Sequence, residues 1–450
     1  MQTGIARSRS RRRRGHLQVA SVLVGTALLI AGCSRVATPA TQTASTPTTA
    51  PGASMTPQPG SSAGSSALKP IDQSALQAMV DTTARELQVP GAMVLLRTPQ
   101  GDFTVSSGTT QLGTTTPPRA DTHFRIASNT KSMTAAVIVQ LAQEGKLRLD
   151  DPVSQYVPSV PNGDNITINE LLTMRSGLYN YTDAPELAAI VDRDPTKAWT
   201  PDELLAIAFA HPPNFPPGTA YEYCNTNYAL LGLIAERVDG RPLAQAMQDR
   251  LFGPLGMHDT LLPARTANTI PAPYSHGYLY GSSSFVLTDT PYPPDIQAAA
   301  RAGTLRPTDY TDVNHSWADA AGGVISTSSD LAIWIEALVT GRVLDAAYQR
   351  RWLDSLQAKD PSMPDGQQYG YGMERLRWGP NAVYFHGGET IGFNSHMGYD
   401  PNSQVTFVTW TNLPLSVEGE WASMALVLKI WDLIYVVSPL TAFPSPTPAP

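Results

Sequence analysis

The chain has little cysteine and little charge for its length. Only two cysteines, Cys33 and Cys224, occur in 450 residues, which excludes a disulfide framework. No cluster of Cys and His and no H-E-x-x-H motif has metal-site spacing, so we expect no metal or other cofactor. Charged residues make up 15% of the chain, and the net charge of −7 argues against nucleic-acid binding.

The N-terminal 33 residues have the features of an export signal. Six arginines between residues 7 and 14 precede an apolar stretch, residues 17–30, that is shorter than the roughly 20 residues a membrane span prefers. Ile30-Ala31-Gly32-Cys33 then resembles a bacterial lipobox. We therefore predict a lipoprotein signal peptide over residues 1–33, lipidation of Cys33, and a membrane anchor on the extracytoplasmic face.

Two alternatives to the lipid anchor remain, an uncleaved signal anchor and ordinary secretion, and the export route (general secretory or twin-arginine) stays open. If Cys33 is lipidated, Cys224 has no partner and no intramolecular disulfide forms. Without the six arginines, 25 basic residues face 38 acidic ones, so the mature chain has a net charge of about −13.

Composition divides the remainder into a linker, one large domain and a tail. Residues 34–70 are mostly Thr, Pro, Ser, Ala and Gly without apolar periodicity, which predicts a disordered tether. Residues 438–450 form a proline-rich tail, also predicted to be disordered. The folded domain is expected over residues 71–437, long enough for one large core or two interleaved subdomains.

The first motif of the predicted active site is a serine and a lysine three residues apart. Residues 130–144 have the apolar spacing of a helix, and on a helix Lys131 reaches back to Ser128. Ser128 then lies at the helix N-terminus, where backbone N–H groups favour developing negative charge. Ser66 and Lys69 have the same spacing but lie in the predicted linker.

Two further motifs follow in order, Tyr223-Cys224-Asn225 and His386-Gly387-Gly388. His396 also fits the histidine-x-glycine pattern, but the short strand before His386 and the glycine pair after it favour His386. With Ser128 and Lys131, these motifs resemble the serine β-lactamase and penicillin-binding protein superfamily, in the branch of class C β-lactamases, D-Ala-D-Ala carboxypeptidases and related esterases.

The resemblance implies an α/β (α+β) fold of the β-lactamase/transpeptidase type, an antiparallel β-sheet flanked by helices with an inserted all-helical lobe. The patterning agrees with early and late strands sharing one sheet. It predicts helices at residues 74–87, 330–338 and 422–436, and strands at 92–97, 102–106, 396–399 and 405–411. Residues 271–310, rich in Pro, Tyr and Gly, are expected to form loops rimming the cleft.

The resemblance also implies a role for each motif residue. Ser128 is the nucleophile, Tyr223 works with Lys131 as general base, and Asn225 holds the substrate amide. The backbone N–H groups of Ser128 and Glu389 form the oxyanion hole, and Gly388 permits close backbone approach to the ligand. Cys224 stands where serine is usual, which would place an oxidisable thiol beside the site.

The implied function is a serine hydrolase that forms an acyl-enzyme on Ser128. The expected extracytoplasmic location favours a D-Ala-D-Ala carboxypeptidase acting on cell-wall peptides. His386, however, replaces the lysine that efficient β-lactamases of this branch use to hold a substrate carboxylate. An esterase of small acyl groups is therefore almost equally favoured, a weak β-lactamase less so, and a non-catalytic cell-envelope binding protein is the alternative from a different class.

Overall fold

Twelve strands lie within residues 68–288, 290–378 and 381–439, the part of the chain that the computed structural model describes. The predicted signal peptide with Cys33, nearly all of the linker and most of the tail lie outside these residues. The strands are, in chain order, β1 (Gly91–Thr98), β2 (Gly101–Gly108), β3 (Phe124–Arg125), β4 (Tyr278–Leu279), β5 (Thr308–Asp309), β6 (Ile325–Ser326), β7 (Gln357–Ala358), β8 (Gln368–Tyr369), β9 (Glu374–Trp378), β10 (Asn381–Thr390), β11 (Phe393–Asp400) and β12 (Val405–Thr411).

Fourteen α-helices occur in the same described residues, several of them short. They are α1 (Gln73–Glu86), α2 (Thr130–Gln143), α3 (Ile168–Leu172), α4 (Pro185–Arg193), α5 (Pro201–Phe209), α6 (Asn225–Asp239), α7 (Leu243–Met247), α8 (Gly253–Leu255), α9 (Ser284–Leu287), α10 (Pro294–Arg301), α11 (Asp319–Gly322), α12 (Ser328–Val339), α13 (Ala346–Asp354) and α14 (Ala422–Ile434).

An eight-stranded antiparallel sheet forms the centre of the domain. Its strand order is β2-β1-β12-β11-β10-β9-β8-β7, so the N-terminal hairpin pairs with the last strand of the chain. All of the helices from α2 to α8 lie between β3 and β4, a stretch without a strand in the described chain. The domain is therefore one sheet with a helical lobe inserted between its early and late strands.

Helices cover both faces of the sheet. Phe407 and Trp410 are three residues apart on β12, so their side chains point to opposite faces. The Phe407 ring meets Trp431 of α14, with ring centroids 5.7 Å apart, while the Trp410 indole N–H donates to Ser328 at the start of α12, 3.1 Å away. Burial of large aromatic side chains on both faces holds the layers together.

Helix caps fix where several elements begin. The Asp72 side chain accepts from the backbone N–H of Ala75 at the start of α1, and Thr327 accepts from Asp330 at the start of α12. Helix α6 ends at Gly240, whose φ of +72° is a conformation that glycine adopts without strain. The starts of α1 and α12 lie within two residues of those expected from the sequence.

The predicted fold class is confirmed, and most predicted elements lie within one or two residues of those observed. The segment 271–310 differs from the prediction. It contains α9, α10 and the two-stranded β4–β5 sheet, and Val286 and Leu287 of α9 line the cleft. The prediction of loops was wrong here. The short helices and strands of this segment are held by tertiary contacts, and none is long enough to show hydrophobic periodicity in the sequence.

The predicted start of the domain at residue 71 is slightly late. Leu68 forms a β-bridge with Tyr435, and the Lys69 backbone N–H donates to Ile434 at 2.8 Å. Residues 68–70, assigned to the linker by composition, therefore belong to the folded domain. Within the described residues, no helix is both long and apolar enough to cross a bilayer.

Candidate active site

Ser128 lies in a single 3₁₀ turn, Ala127–Asn129, that leads directly into α2. The preceding residue, Ala127, has a φ of +51°, an unfavourable conformation for a residue with a side chain. Strain of this kind is retained where the surrounding structure requires it. The Ser128 side chain therefore projects from a constrained turn at a helix N-terminus, as the sequence predicted, and is 8% exposed.

Lys131 is completely buried one helical turn after Ser128. Its Nζ atom is 3.0 Å from Ser128 Oγ, 2.7 Å from Asn225 Oδ1 and 2.7 Å from the carbonyl oxygen of Ala321. Burial lowers the pKa of Lys131 from 10.5 to about 7, against the opposing charge of Glu389. A substantial fraction of Lys131 is thus a neutral amine near pH 7, in contact with the serine hydroxyl.

Tyr223 lies beside Ser128 and Lys131, but its pKa is shifted in the opposite direction from that of Lys131. Lys131 Nζ is 4.8 Å from the centre of the Tyr223 ring. Burial raises the pKa of Tyr223 well above 10, although its nearness to Ser128 lowers the pKa somewhat. The Tyr223 hydroxyl forms no hydrogen bond of ordinary geometry with the described residues. Desolvation is the largest cause of this shift and the charge of Glu389 adds to it, so Tyr223 keeps its proton at neutral pH.

Asn225 is the first residue of α6 and connects three parts of the site. Its Oδ1 atom accepts from Lys131, its amide nitrogen donates to Thr182 Oγ1 at 3.0 Å, and its backbone N–H donates to Asn180 Oδ1 at 2.9 Å. Tyr223 and Asn225 both line the cleft. These contacts hold the Asn225 side chain in one orientation, facing the lysine.

Cys224 lies between Tyr223 and Asn225 in the sequence, and its side chain points into the core. It is 2% exposed, and its thiol donates to the carbonyl oxygen of Leu178 at 3.3 Å. Burial raises the pKa of the Cys224 thiol to about 12, so the reactive thiolate is not populated at neutral pH. The thiol therefore does not line the cleft, contrary to the expectation of an oxidisable thiol beside the site.

His386 is buried on β10, facing the cleft. Its Nδ1 atom contacts the carbonyl oxygen of Gly387, which can only accept, so Nδ1 carries the proton. Nε2 then accepts from the hydroxyl of Tyr369, a long contact of 3.4 Å. Burial, reinforced by the charge of Lys131, lowers the pKa of His386 to about 3, so the ring is neutral throughout the physiological range.

Gly388 lets β10 approach the nucleophile turn. A Cβ atom there would lie 2.3 Å from the carbonyl oxygen of Ile126 and 2.9 Å from Asn129 Nδ2, closer than atoms can come. The following residue, Glu389, lines the cleft together with Ser128. The structure thus brings the predicted site residues Ser128, Lys131, Tyr223, Asn225, His386, Gly388 and Glu389 to one place, whereas Cys33 lies outside the described residues.

The cleft has a volume of about 510 Å³, enough for a small ligand. Several residues that line the cleft were not predicted from the sequence. They include the Lys359–Glu374 ion pair, with N and O 2.6 Å apart, the buried indole of Trp317, and His396. His396, expected to be an ordinary strand or turn histidine, lies on β11 and hydrogen-bonds Ser423, 3.2 Å away. Burial lowers its pKa to about 4.

The family model "Beta-lactamase" matches residues 76–428, which cover the sheet, the helical lobe and every candidate residue of the cleft. The chain belongs to this family. It is thereby placed in the superfamily of serine hydrolases that its motifs resemble.

Similar proteins differ in the activities for which they are named. The chain is 33% identical to the putative penicillin-binding protein PbpX of Bacillus subtilis, over 41% of this chain and 43% of that protein. It is 30% identical to the esterase EstB of Burkholderia gladioli, over 45% of this chain and 54% of that protein. These alignments span only about half of the curated relatives' own lengths.

Among solved structures, a D-stereospecific amidohydrolase from Streptomyces superimposes with a TM-score of 0.67 and 30% identity, covering 79% of this chain and 98% of that one. The similarity includes both the sheet and the helical lobe, because it extends over nearly all of that structure. The fold is therefore shared by proteins described as a penicillin-binding protein, an esterase and an amidohydrolase.

Proposed function

We propose that this protein is a serine hydrolase that cleaves amide or ester bonds through an acyl-enzyme on Ser128. The observation that carries the proposal is the contact between Lys131 Nζ and Ser128 Oγ at 3.0 Å. A lysine with a pKa of about 7 is a competent base at neutral pH, and it is within hydrogen-bond distance of the proton it must remove.

The route of the proton follows from the pKa of Lys131, which is lowered, and the pKa of Tyr223, which is raised. Lys131 takes the Ser128 proton as Oγ attacks the substrate carbonyl carbon. Tyr223, whose pKa lies well above 10, stays protonated in the resting site. Its ring lies 4.8 Å from Lys131 Nζ, and we infer that it accepts the proton from the lysine as it gives its own to the leaving group.

The negative charge formed on the carbonyl oxygen requires donors beside Ser128. The backbone N–H groups of Ser128 and Glu389 are assigned this role, since Gly388 allows β10 to approach the Ser128 turn. Expulsion of the amine or alcohol leaves an ester between Ser128 and the acyl group. Water then attacks that ester and gives its proton to Lys131, which returns a proton to Ser128 Oγ as the ester bond breaks and the free acid is released.

The neutral state of His386 bears on the substrate. A histidine with a pKa of about 3 supplies no positive charge for a substrate carboxylate at neutral pH. The site therefore favours acyl groups without a carboxylate at this position. Amide and ester hydrolysis both fit, and the similar proteins include an amidohydrolase and an esterase.

D-Ala-D-Ala carboxypeptidase activity on cell-wall peptides is the second candidate, and Lys359 is the observation that favours it. This lysine lines the cleft, is 25% exposed, and is paired with Glu374. A peptide's terminal carboxylate could compete for the Lys359 ammonium group. If it does, Lys359→Met will abolish hydrolysis of the peptide but leave hydrolysis of a neutral ester almost unchanged.

Intact-mass spectrometry tests the proposal directly. The chain from Ser66 onward is treated with a fluorophosphonate and, separately, with a penicillin. We expect a fluorophosphonate adduct that Ser128→Ala abolishes and that Ser66→Ala, in the other serine–lysine pair, leaves intact. An additional penicillin adduct will favour the carboxypeptidase or a weak β-lactamase, and its absence the esterase or amidase. Absence of both adducts would contradict catalysis and favour a binding protein.

We also propose that the protein is a lipoprotein held on the extracytoplasmic face of the membrane through Cys33. The lipobox pattern at residues 30–33 supports this location. Expression of the full chain with labelled palmitate, followed by detergent-phase partitioning, tests it. Cys33→Ser should lose both the label and the partitioning, and retention of either contradicts the anchor.

A further inference from the structure

Strand β10 has an open edge beside the nucleophile turn. Among the described strands, β9 pairs with β10 only over residues 381–385, whereas β11 pairs with it to its end. Gly388 faces the nucleophile turn, and since successive residues of a strand point to opposite faces, Gly387 faces the other side of the sheet. Ser128 and His396 line the same cleft, which therefore extends around this edge to the face of Gly387.

The imidazole of His396 lies over Gly387. The two residues are opposite each other in the pairing of β10 with β11, so they share one face of the sheet. A Cβ atom on Gly387 would lie 2.7 Å from His396 Nε2, so the glycine makes room for the ring. The carboxylate of Glu389, on the same face, already accepts from Asn394 Nδ2, 3.4 Å away. Nε2, by contrast, has no hydrogen-bond partner among the described residues.

The hydrogen bonds behind His396 determine which nitrogen carries the proton. Nδ1 is 3.2 Å from Ser423 Oγ. The Ser423 hydroxyl donates to the backbone carbonyl oxygen of Thr409 at 3.1 Å, so its oxygen accepts from Nδ1–H. Burial lowers the pKa of His396 to about 4, against the opposing charge of Glu374, so the ring is neutral at physiological pH. Nε2 is therefore an uncharged acceptor.

Apolar side chains accompany His396 on this face. Trp421 and Met424, both half-buried, line the cleft and lie close in sequence to Ser423, the residue that bonds His396. Phe385, 2% exposed, lines the cleft as well and lies on this face of β10. The face of Gly387 thus combines an uncharged acceptor with an apolar surface.

We propose that His396 is a specificity-determining residue, whose Nε2 atom accepts a hydrogen bond from an O–H or N–H group of the substrate. The inference rests on the proposed acyl-enzyme function and deepens it. His396 is 4% exposed, and a ligand that covers its acceptor without pairing it forfeits the hydrogen bond to water. The substrate class is therefore esters or amides with a hydroxyl or amide N–H donor beside an apolar group, placed across the β10 edge from the carbonyl that Ser128 attacks.

Matched aryl esters test the inference on the chain from Ser66 onward. In one series the acyl group varies, and p-nitrophenyl phenylacetates with a meta or para hydroxyl are compared with their methoxy counterparts. In the other the leaving group varies, and monoacetates of resorcinol and hydroquinone are compared with acetates of the matching methoxyphenols. In at least one series, kcat/KM of a hydroxyl compound should exceed that of its methoxy partner by roughly tenfold. The series that responds shows which side of the scissile bond crosses the edge.

Three variants connect this ratio to the imidazole. His396→Phe keeps a ring but removes the acceptor, so the ratio should fall close to one, mainly because the hydroxyl compound reacts more slowly. Ser423→Ala keeps the imidazole but removes the acceptor of Nδ1–H, so the proton can move to Nε2, and the ratio should fall by a smaller factor. His123→Phe replaces another buried histidine, which does not line the cleft, and should leave the ratio unchanged.

The position of the proton can be observed without a substrate. In ¹⁵N NMR of the chain with labelled histidines at pH 7, we expect His396 Nδ1 to carry the proton and Nε2 to be unprotonated. The signals that disappear in His396→Phe identify this ring. A proton on Nε2 would overturn the inference.

The outcomes separate this inference from the proposed function. Fluorophosphonate labelling of Ser128 together with ratios near one in both series, or with a ratio that His396→Phe leaves unchanged, overturns the role of His396 alone. An equal fall of the ratio in His123→Phe would assign the loss to a disturbed fold and overturn that role as well. Absence of labelling overturns the acyl-enzyme itself.

Discussion

A Cβ atom on Gly388 would lie 2.3 Å from the carbonyl oxygen of Ile126, so strand β10 and the nucleophile turn are in backbone contact. This contact sets the separation between Ser128 and the assigned oxyanion donor of Glu389. Oxyanion donors act within a few tenths of an ångström of their ideal position. The geometry of the site therefore depends on the absence of a side chain at Gly388.

Gly388→Ala should consequently reduce kcat by roughly a hundredfold or more and destabilise the fold by about 1–3 kcal/mol. Ester hydrolysis and thermal unfolding measure the two effects. Gly253→Ala is the matched control, because a Cβ there would approach no atom closer than 3.1 Å. Wild-type activity in Gly388→Ala would show that β10 can move away from the nucleophile turn without loss of catalysis.

The pKa of Lys131 predicts the pH dependence of the reaction. Burial lowers this pKa from 10.5 to about 7, so the neutral amine that accepts the serine proton predominates above pH 7 and is lost below it. With an uncharged ester, kcat/KM should fall about tenfold per pH unit below 7 and become level above about 8. A rate independent of pH between 5 and 9 would exclude Lys131 as the base.

His386→Lys should change the preference between substrates. A lysine at this position would supply the positive charge that the neutral histidine lacks. We expect acylation by penicillin, which carries a carboxylate, to rise roughly tenfold relative to hydrolysis of a neutral ester. His386→Gln removes the imidazole without adding charge and serves as the control. If the relative rate of penicillin acylation rises equally in both variants, the cause is the change in side-chain size and not the added charge.

The Cys224 thiol should be unreactive in the native protein. In a chain that begins at Ser66 it is the only cysteine, so thiol titration reports on it alone. Because the thiol is buried and its pKa is raised to about 12, we expect reaction only after denaturation. Cys224→Ser should keep activity within about threefold, since the side chain faces the core. Rapid native titration would contradict the buried position.

The contact between Leu68 and Tyr435 predicts where the domain can be truncated. A chain beginning at Ile71 lacks this β-bridge and the Lys69–Ile434 hydrogen bond. Its melting temperature should be lower by roughly 2 °C than that of a chain beginning at Ser66. Differential scanning calorimetry distinguishes the two, and equal melting temperatures would place the boundary at residue 71 after all.

The fold class and the candidate residues could be predicted because three short motifs, in order, resemble those of a known superfamily, and local patterns agreed with that resemblance. Helical periodicity placed Lys131 one turn after Ser128, and the glycine pair identified the strand that approaches the nucleophile. Lys359 and Trp317 gave no such signal. They reach the cleft from segments far apart in the chain, and only the tertiary arrangement brings them together.

The ionisation states also could not be read from the sequence. Burial shifts the pKa values of both Tyr223 and His386 in the direction that disfavours charge. Desolvation depends on every group packed around an atom, whereas a motif specifies only its neighbours along the chain. The same reasoning applies to Cys224, whose side chain turns away from the two residues beside it.

Helix α14 connects the cleft to the end of the domain. Trp421 and Met424, at its start, line the cleft, while Leu68 joins the chain at Tyr435, just past its end. At 1.5 Å per residue, its 13 residues separate these points by about 20 Å. Both ends of the domain thus leave the surface together and well away from bound substrate. The protein could therefore be fused or immobilised through either terminus with its cleft still open.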